Sequence, residues 1–318
     1  MPNHHLLYPL RVATAAFILL SGACADQSVT PTGPLETPET ALARGGPNQL
    51  PTSAGRIYFS GFMTGNYDLF SVKPDGSDLR RLTYGAEFET SPAVSPDGKK
   101  IAYLKQRTSG LETDLWIMNA DGTRPRLRLA VPDTVYNFYG PVWSPDGRTI
   151  TLTYVQSTAP FERKLASVDA NTGAVATLGA AGMSPSWSPD GRYLAFTQRV
   201  DTTEQLFTSR PDGTDLLQRT DFALCCGLPR WSPDGNRILV VVKTGPGSRS
   251  LFAANAGGGT TQLPTSVEPA GPVAWSPDAA KIVFADIPGD LWVSLANGGG
   301  ATRILAGAQA AAGLSWAR

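Results

Sequence analysis

The stretch Ser184-Pro-Ser-Trp-Ser-Pro-Asp-Gly191 recurs along most of the chain, sometimes with single replacements. The copies share one central apolar residue before the Ser-Pro turn, and these residues are Val94, Trp143, Trp187, Trp231, Trp275 and Trp316. The steps between them are 49, 44, 44, 44 and 41 residues. A fixed period in this range is typical of the blades of a β-propeller.

Each copy has the composition of a β-hairpin. In Ser-Pro-Asp-Gly the proline presets φ, the aspartate caps the bend, and the glycine takes the position with positive φ. A short apolar run ending in tryptophan precedes the turn, and a second apolar run such as Lys100-Ile-Ala-Tyr-Leu104 follows it. The motif therefore predicts two antiparallel strands joined by a tight turn.

The repeats predict an all-β, six-bladed β-propeller over residues 55–318. Each blade has strands A to D from the axis outward, and the innermost A strands are expected at 91–95, 140–144, 184–188, 228–232, 272–276 and 313–317. The first blade begins at a B strand, and the chain ends on an A strand. We expect the C-terminal strand Leu314-Ser-Trp-Ala317 to pair with Arg56-Ile-Tyr-Phe-Ser60 and close the ring, because closure removes a free sheet edge.

Residues 1–23 predict a lipoprotein signal peptide. Arg11 precedes an apolar run of nine residues, Val12 to Leu20, which is too short for a bilayer that needs about 20 residues. Leu20-Ser-Gly-Ala-Cys24 resembles a bacterial lipobox, and this resemblance implies acylation of Cys24. The alternative is ordinary cleavage after Ala23-Cys24-Ala25. Both readings predict an exported protein, and the first adds attachment to a bacterial membrane through a lipid anchor only.

Residues 24–54 predict a disordered tether. They contain five prolines among Thr, Gly and Ser, and no aromatic residue. Such a segment cannot bury enough apolar surface to fold. As a flexible coil it would reach about 30 Å.

Charge and histidine content exclude several classes of function. The chain has 27 Lys and Arg against 27 Asp and Glu, so it has no electrostatic footprint for nucleic acid. Both histidines, His4 and His5, lie in the predicted signal peptide. We therefore expect no Ser-His-Asp or Cys-His catalysis and no histidine-bound zinc. Gly-x-Ser-x-Gly and phosphate-binding motifs are also absent, and the expectation is a non-enzymatic protein without a cofactor or metal.

The repeat resembles that of a known family. Trp-Ser-Pro-Asp-Gly followed by Lys/Arg-x-Ile-Ala-Tyr, then Asp114-Leu-Trp-Ile-Met-Asn-Ala-Asp-Gly-Thr123, is similar to the PD40 (WD40-like) repeat of TolB-type six-bladed propellers. The resemblance covers residues 55–318 and does not extend to the α/β domain that precedes the propeller in TolB itself. Val94 departs from the repeat, as does Ala279, which stands where the turn glycine is expected and where positive φ costs alanine about 1 kcal/mol.

The loops predict where recognition occurs. The A–B and C–D turns share one end of a propeller, here called the turn face. The B–C loops and D-to-A connections share the other end, the loop face, and they vary in length, which favours recognition there. From the D-to-A connections and from the single charge on the predicted inner strands, we take as candidate binding residues Glu87, Glu89, Asp133, Tyr136, Tyr139, Asp221, Arg230 and Glu268.

The preferred function is a monomeric scaffold that binds an envelope or extracellular protein, because aromatic and charged side chains suit protein contacts. The alternatives are an enzyme or Ca²⁺-binding protein acting in the central channel, and a polysaccharide-binding protein. The predicted inner strands carry no carboxylate, whereas a Ca²⁺ site needs about 6–8 oxygen ligands.

Cys225 and Cys226 are adjacent. In an oxidising compartment they can form a vicinal disulfide. Neighbouring Cα atoms lie only about 3.8 Å apart, so the bridge would be strained and easily reduced. Two packed thiols are the alternative.

Overall fold

The structure is a computed structural model that describes residues 55–107, 110, 112–132, 135–156, 162–223 and 226–317. For Tyr136, Cys226 and Ala311 it describes the backbone alone. Several predictions fall outside the described residues: the signal peptide, the tether, lipidation at Cys24, the placement of Asp133, and the bridge between Cys225 and Cys226.

The described residues form six four-stranded antiparallel sheets and no α-helix. Blade one contains β1 (Arg56–Gly61), β2 (Asp68–Val72), β3 (Arg80–Arg81) and β24 (Ala310–Ala317). Blade two contains β4 (Glu89–Val94), β5 (Lys100–Gln106), β6 (Thr113–Asn119) and β7 (Arg126–Leu129). Blade three contains β8 (Val135–Trp143), β9 (Thr149–Gln156), β10 (Arg163–Asp169) and β11 (Val175–Thr177).

The second half of the ring repeats this order. Blade four contains β12 (Met183–Trp187), β13 (Leu194–Val200), β14 (Thr203–Ser209) and β15 (Leu217–Gln218). Blade five contains β16 (Cys226–Trp231), β17 (Arg237–Gly245), β18 (Ser248–Asn255) and β19 (Thr260–Gln262). Blade six contains β20 (Val273–Trp275), β21 (Lys281–Ala285), β22 (Leu291–Leu295) and β23 (Thr302–Leu305). The predicted six-bladed propeller is confirmed.

The C-terminal strand closes the ring as predicted. Strand β24 pairs antiparallel with β1, with Trp316 opposite Ile57 and Leu314 opposite Phe59. These side chains share one core cluster with Val283 of blade six. Blade one is therefore built from both ends of the propeller sequence and packs directly on blade six.

The repeated tryptophans hold neighbouring blades together. Trp143 and Trp275 are buried in the cores between sheets. The indole N–H of Trp143 donates to the carbonyl of Ala93 at 2.9 Å, and that of Trp275 donates to the carbonyl of Arg230 at 3.0 Å. Each bond crosses from one inner strand to the preceding one, so these tryptophans are structural.

The Ser-Pro-Asp-Gly turns use their polar groups internally. In blade three the Ser144 hydroxyl donates to Asp146 Oδ1 at 2.6 Å, and the same oxygen accepts the N–H of Arg148 at 3.0 Å. Ser144 Oγ in turn accepts the N–H of Thr149 at 3.0 Å. These hydrogen bonds hold the pKa of Asp146 below its ordinary value. In blade six Ala279 adopts φ 57° in the glycine position, as predicted.

The inner strands contain a bulge that the sequence analysis did not predict. The left-handed residues are Ser91 (φ 55°), Gly140 (φ 55°), Ser184 (φ 54°), Leu228 (φ 56°) and Gly313 (φ 71°). At each of them the register with the neighbouring B strand shifts. Bulges of adjacent blades approach closely, since a Cβ on Gly313 would lie 2.5 Å from the Cα of Ser91. A Cβ on Gly140 would likewise lie 3.6 Å from the Cα of Ser184. Blade six has no such register shift, and we call the other five positions the ring of bulges.

Five of the six inner strands begin earlier than predicted, and in two of them the extension takes in candidate residues. Strand β4 starts at Glu89 rather than residue 91, and β8 starts at Val135 rather than residue 140. The bulge absorbs one extra residue, so pairing with the B strand continues on both sides of it. Glu89, Tyr136 and Tyr139 consequently lie on inner strands instead of in connections, and the expectation that the inner strands carry no carboxylate was wrong.

Candidate functional site

Blades one and two bring charged side chains together on the loop face. Glu89 begins β4 and lies opposite Lys105 of β5. Lys105 Nζ is 3.2 Å from Glu89 Oε1 and 3.4 Å from Glu87 Oε2, and it lies 5.4 Å from the ring centre of Trp116. We call Glu87, Glu89, Lys105 and Trp116 the Glu–Lys cluster. The ammonium group of Lys105 therefore pairs with two carboxylates.

Glu89 is the most buried member of the Glu–Lys cluster. Its exposed fraction is 2%, and its Oε2 has no hydrogen-bond partner among the described residues. Burial raises the pKa of this carboxyl, and Lys105 opposes that shift in part. A buried carboxylate that is only half satisfied costs free energy.

Aromatic side chains lie beside the Glu–Lys cluster. The rings of Phe62 and Tyr67 are 5.1 Å apart between centroids, and those of Tyr67 and Phe88 are 5.6 Å apart in an edge-on arrangement. Tyr84 is 74% exposed, with the Arg81 guanidinium 4.8 Å from its ring centre. This part of the loop face combines aromatic area with charge, the composition that favours a protein contact.

Side-chain hydrogen bonds hold the connection that carries Glu87. The amide of Asn66, in the B–C loop of blade one, donates to the carbonyls of Gly85 at 3.0 Å and Glu87 at 3.1 Å. At the start of β2, the buried Asp68 pairs with Arg81 at 2.9 Å and accepts the Thr64 hydroxyl at 2.6 Å. The loop and the connection are thus fixed before any partner binds.

In other blades, the polar residue directly before the first leucine of the C strand has the same role as Asp68 in blade one. Asp114 Oδ1 accepts the N–H of Val131 at 2.8 Å, and Asp290 Oδ1 accepts the N–H of Gly307 at 2.7 Å. Gln205 Oε1 accepts the N–H of Phe222 at 3.0 Å. These side chains anchor the D-to-A connections through hydrogen bonds. The loop face is therefore held in place by polar groups that the sequence analysis did not single out.

Three further candidate binding residues have described positions outside this cluster. Asp221 is exposed on the connection between blades four and five. Glu268 accepts the backbone N–H of Arg249 within blade five. Tyr139 lies on β8 opposite Thr153. Of the eight candidates, the structure brings together Glu87 and Glu89.

Arg230 lies elsewhere in the molecule. It follows the bulge at Leu228 on β16 and precedes the Ser232–Gly235 turn, so it is on the turn-face side of the bulge. It therefore lies on the inner strand predicted for it, and the bulge separates it from the loop-face candidates.

Sequence reasoning missed Lys105, Trp116 and Tyr84. Tyr84 was visible from the sequence, because it stands three residues before Glu87 in the same connection. The pairing of Lys105 with Glu89 was not, because it depends on the register shift at the bulge. Among the described residues, no three His, Cys, Asp or Glu side chains are grouped so as to hold a metal ion. Within the same residues, no helix is long and apolar enough to span a bilayer.

Comparison with known proteins agrees with this architecture. The model of the TolB beta propeller domain matches residues 44–218, more than half of the chain. The chain belongs to the TolB β-propeller family. TolB from Acinetobacter baumannii superposes with a TM-score of 0.70 at 19% identity, covering 84% of this chain and 67% of that one.

Some of the other similar proteins of known fold are enzymes. An oligogalacturonate lyase in complex with manganese has a TM-score of 0.56 at 20% identity, over 78% of this chain and 73% of that one. At such identities the similarity shows the fold alone. The uncharacterized peptidase YuxL of Bacillus subtilis is 34% identical over 90 residues, which are 28% of this TolB-family chain and 13% of YuxL. The chain thus spans a small part of that curated relative.

Proposed function

We propose that this TolB-family propeller is an exported, lipid-anchored envelope protein that binds a protein partner through the loop face of blades one and two. The observation that carries the proposal is the Glu–Lys cluster beside Tyr84. It combines an exposed ring, a half-satisfied buried carboxylate and a connection fixed by Asn66. Preorganised aromatic and charged groups bind a partner at low entropy cost.

The proposed anchor is Cys24, followed by the tether of residues 24–54. A tether with a reach of about 30 Å would hold the propeller clear of a membrane surface. Mass spectrometry of the mature N-terminus is expected to show acylated Cys24. A mature chain that begins at Asp26 would replace lipid anchoring with ordinary secretion.

Site-specific photocrosslinking tests the binding surface. A photoreactive amino acid replaces Tyr84 in the full-length exported chain, and the matched control replaces the exposed Arg192 on the turn face. We expect a defined protein adduct from position 84 that is absent from position 192. Glu87→Gln and Glu89→Gln are expected to weaken the adduct at position 84.

Adducts of equal yield at both positions would contradict the proposal, as would an adduct unaffected by both glutamate substitutions. The alternative of channel catalysis is supported by fold similarity to enzymes such as the lyase. Esterase, peptidase and polysaccharide lyase assays are expected to show no turnover. Turnover that survives repurification and is lost in Glu89→Gln would favour the enzyme instead.

A further inference from the structure

The inner strands place one residue of each blade at the same level around the axis. Each of these residues directly precedes the repeated tryptophan or Val94 and pairs in register with the neighbouring B strand. We call them the inner ring: Ala93, Val142, Ser186, Arg230, Ala274 and Ser315.

The inner-ring residues lie on the strands nearest the axis. In every sheet the A strand has a single neighbour, so its other edge faces the axis. Ser186 Oγ accepts the N–H of Trp231 at 3.0 Å, and Ser315 Oγ accepts the N–H of Val94 at 3.1 Å. Both bonds run from an inner-ring side chain to the unpaired edge of the next inner strand.

Arg230 is the charged member of the inner ring and has no counter-ion among residues 55–317 as far as the structure describes them. Its Nη1 donates to the carbonyl of Pro229 at 2.9 Å. No carboxylate of the described residues lies within 4.0 Å of its guanidinium. The other guanidinium N–H groups have no acceptor among those residues, and the side chain retains partial contact with solvent. Most of the donors of this side chain are therefore available.

The surroundings of Arg230 make this cation costly. Burial alone lowers its pKa to about 10, and no carboxylate offsets that effect. Charges that lose hydration are normally paired in native proteins. The fold does not require an arginine here, since the equivalent positions hold alanine, valine or serine. A costly group at a position that tolerates small residues indicates a function.

We propose that Arg230 binds the carboxylate of a small organic acid in the central channel. The guanidinium offers a planar fork of donors that matches the two oxygens of a carboxylate. The Ser186 hydroxyl accepts the N–H of the adjacent Trp231, and its own O–H can donate to the same ligand.

Arg230 lies on the turn-face side of the bulge in its own strand. Along β16 the order from the loop face is Cys226, the bulge at Leu228, Arg230 and then the turn. The ring of bulges therefore separates Arg230 from the Glu–Lys cluster. This site goes beyond the proposed protein-binding function, and either can fail without the other.

Ligand binding to the full-length chain tests the proposal. Thermal unfolding and calorimetry are measured with sodium acetate, malonate and citrate, against sodium chloride, phosphate and sulfate at equal ionic strength. The variants are Arg230→Ser, which introduces the residue of blade four, and Arg230→Lys, which keeps the charge without the fork. Arg192→Ser on the exposed turn face is the matched control for loss of charge.

We expect at least one carboxylate to raise the melting temperature of the wild type and of Arg192→Ser. The affinity for that carboxylate is expected to fall by about tenfold or more in Arg230→Ser, and to fall measurably in Arg230→Lys. Without ligand, Arg230→Ser is expected to melt at or above the wild-type temperature, because an uncompensated cation has been removed.

Four outcomes would overturn the proposal. They are no carboxylate binding up to about 10 mM, undiminished binding by Arg230→Ser, equal binding of sulfate or phosphate, and a ligand-free Arg230→Ser that melts below the wild type. The last would make Arg230 a structural residue.

Discussion

The two faces of the propeller use polar residues in different ways. On the turn face, five Ser–Asp pairs repeat one hydrogen bond at 2.5–2.6 Å, and the aspartates bind the backbone of their own turns. On the loop face, Asp68, Gln205 and Asp290 hold the connections from below, whereas Glu87, Lys105 and Tyr84 reach the surface. Repeated local bonds stabilise the fold, and non-repeated groups above them leave a surface for recognition.

Removing the C-terminal strand has the largest expected effect. Deletion of Leu314 to Arg318 leaves β1 with an unpaired edge and opens the core that Trp316 shares with blade six. An exposed edge strand is an aggregation site, so we expect loss of cooperative unfolding and aggregation by light scattering. A truncated protein that melts like the full-length chain would contradict ring closure by β24.

A methyl group at the ring of bulges has the next largest expected effect. Gly313→Ala places a Cβ 2.5 Å from the Cα of Ser91 at φ 71°, and we expect a loss of about 2–4 kcal/mol in denaturant unfolding. The control is Gly307→Ala, at φ 65° with no atom within 4 Å of the new Cβ. That change is expected to cost about 1 kcal/mol. Equal costs would show that the inner strands do not meet at the bulges.

Matched alanine substitutions compare the two faces directly. Ser144→Ala removes bonds to Asp146 and Thr149, and we expect a loss of about 1–2 kcal/mol because the turn groups lose their partners. Tyr84→Ala on the loop face is expected to change stability by less than about 0.5 kcal/mol, because the ring is exposed. Urea unfolding of both variants measures the difference, and the opposite ranking would reverse the roles of the faces.

A smaller effect is expected where blade six departs from the turn motif. Ala279→Gly relieves positive φ and should stabilise the protein by about 0.5–1 kcal/mol. The reverse change in blade five, Gly235→Ala at φ 74°, should destabilise it. If both substitutions change the free energy of unfolding in the same direction, the turn geometry does not limit stability.

The smallest expected effect depends on pH. Burial raises the pKa of Glu89 above 4.5, so the folded state holds this proton more tightly than the unfolded chain. The resulting stability is present below pH 4.5 and is lost as the pH rises through the folded pKa. Glu89→Gln is therefore expected to gain a few tenths of a kcal/mol over the wild type at pH 7 and none near pH 4. Thermal unfolding across pH measures this, with the more exposed Glu87→Gln as control. If the stability difference between Glu89→Gln and the wild type is the same at every pH, titration of Glu89 is not its source.

The sequence by itself determined the blades, the turn chemistry and the closure of the ring. These depend on local rules: a proline presets φ, an aspartate caps a bend, and a period near 44 residues repeats one sheet. Counting from the hairpin, with Val94 opposite Ile101, would place Glu89 opposite Gln106. The observed partner is Lys105, because the bulge at Ser91 shifts the register by one residue.

Only the tertiary structure decided which polar groups meet. The left-handed conformation of Ser91 and Leu228 has no local signature, since neither residue type favours it. It arises where six inner strands converge on one axis. That convergence forms the Glu–Lys cluster on one side of the bulges. On the other side it leaves Arg230 without a counter-ion in the part of the chain that the structure describes, because a charged partner would have to come from another strand or blade.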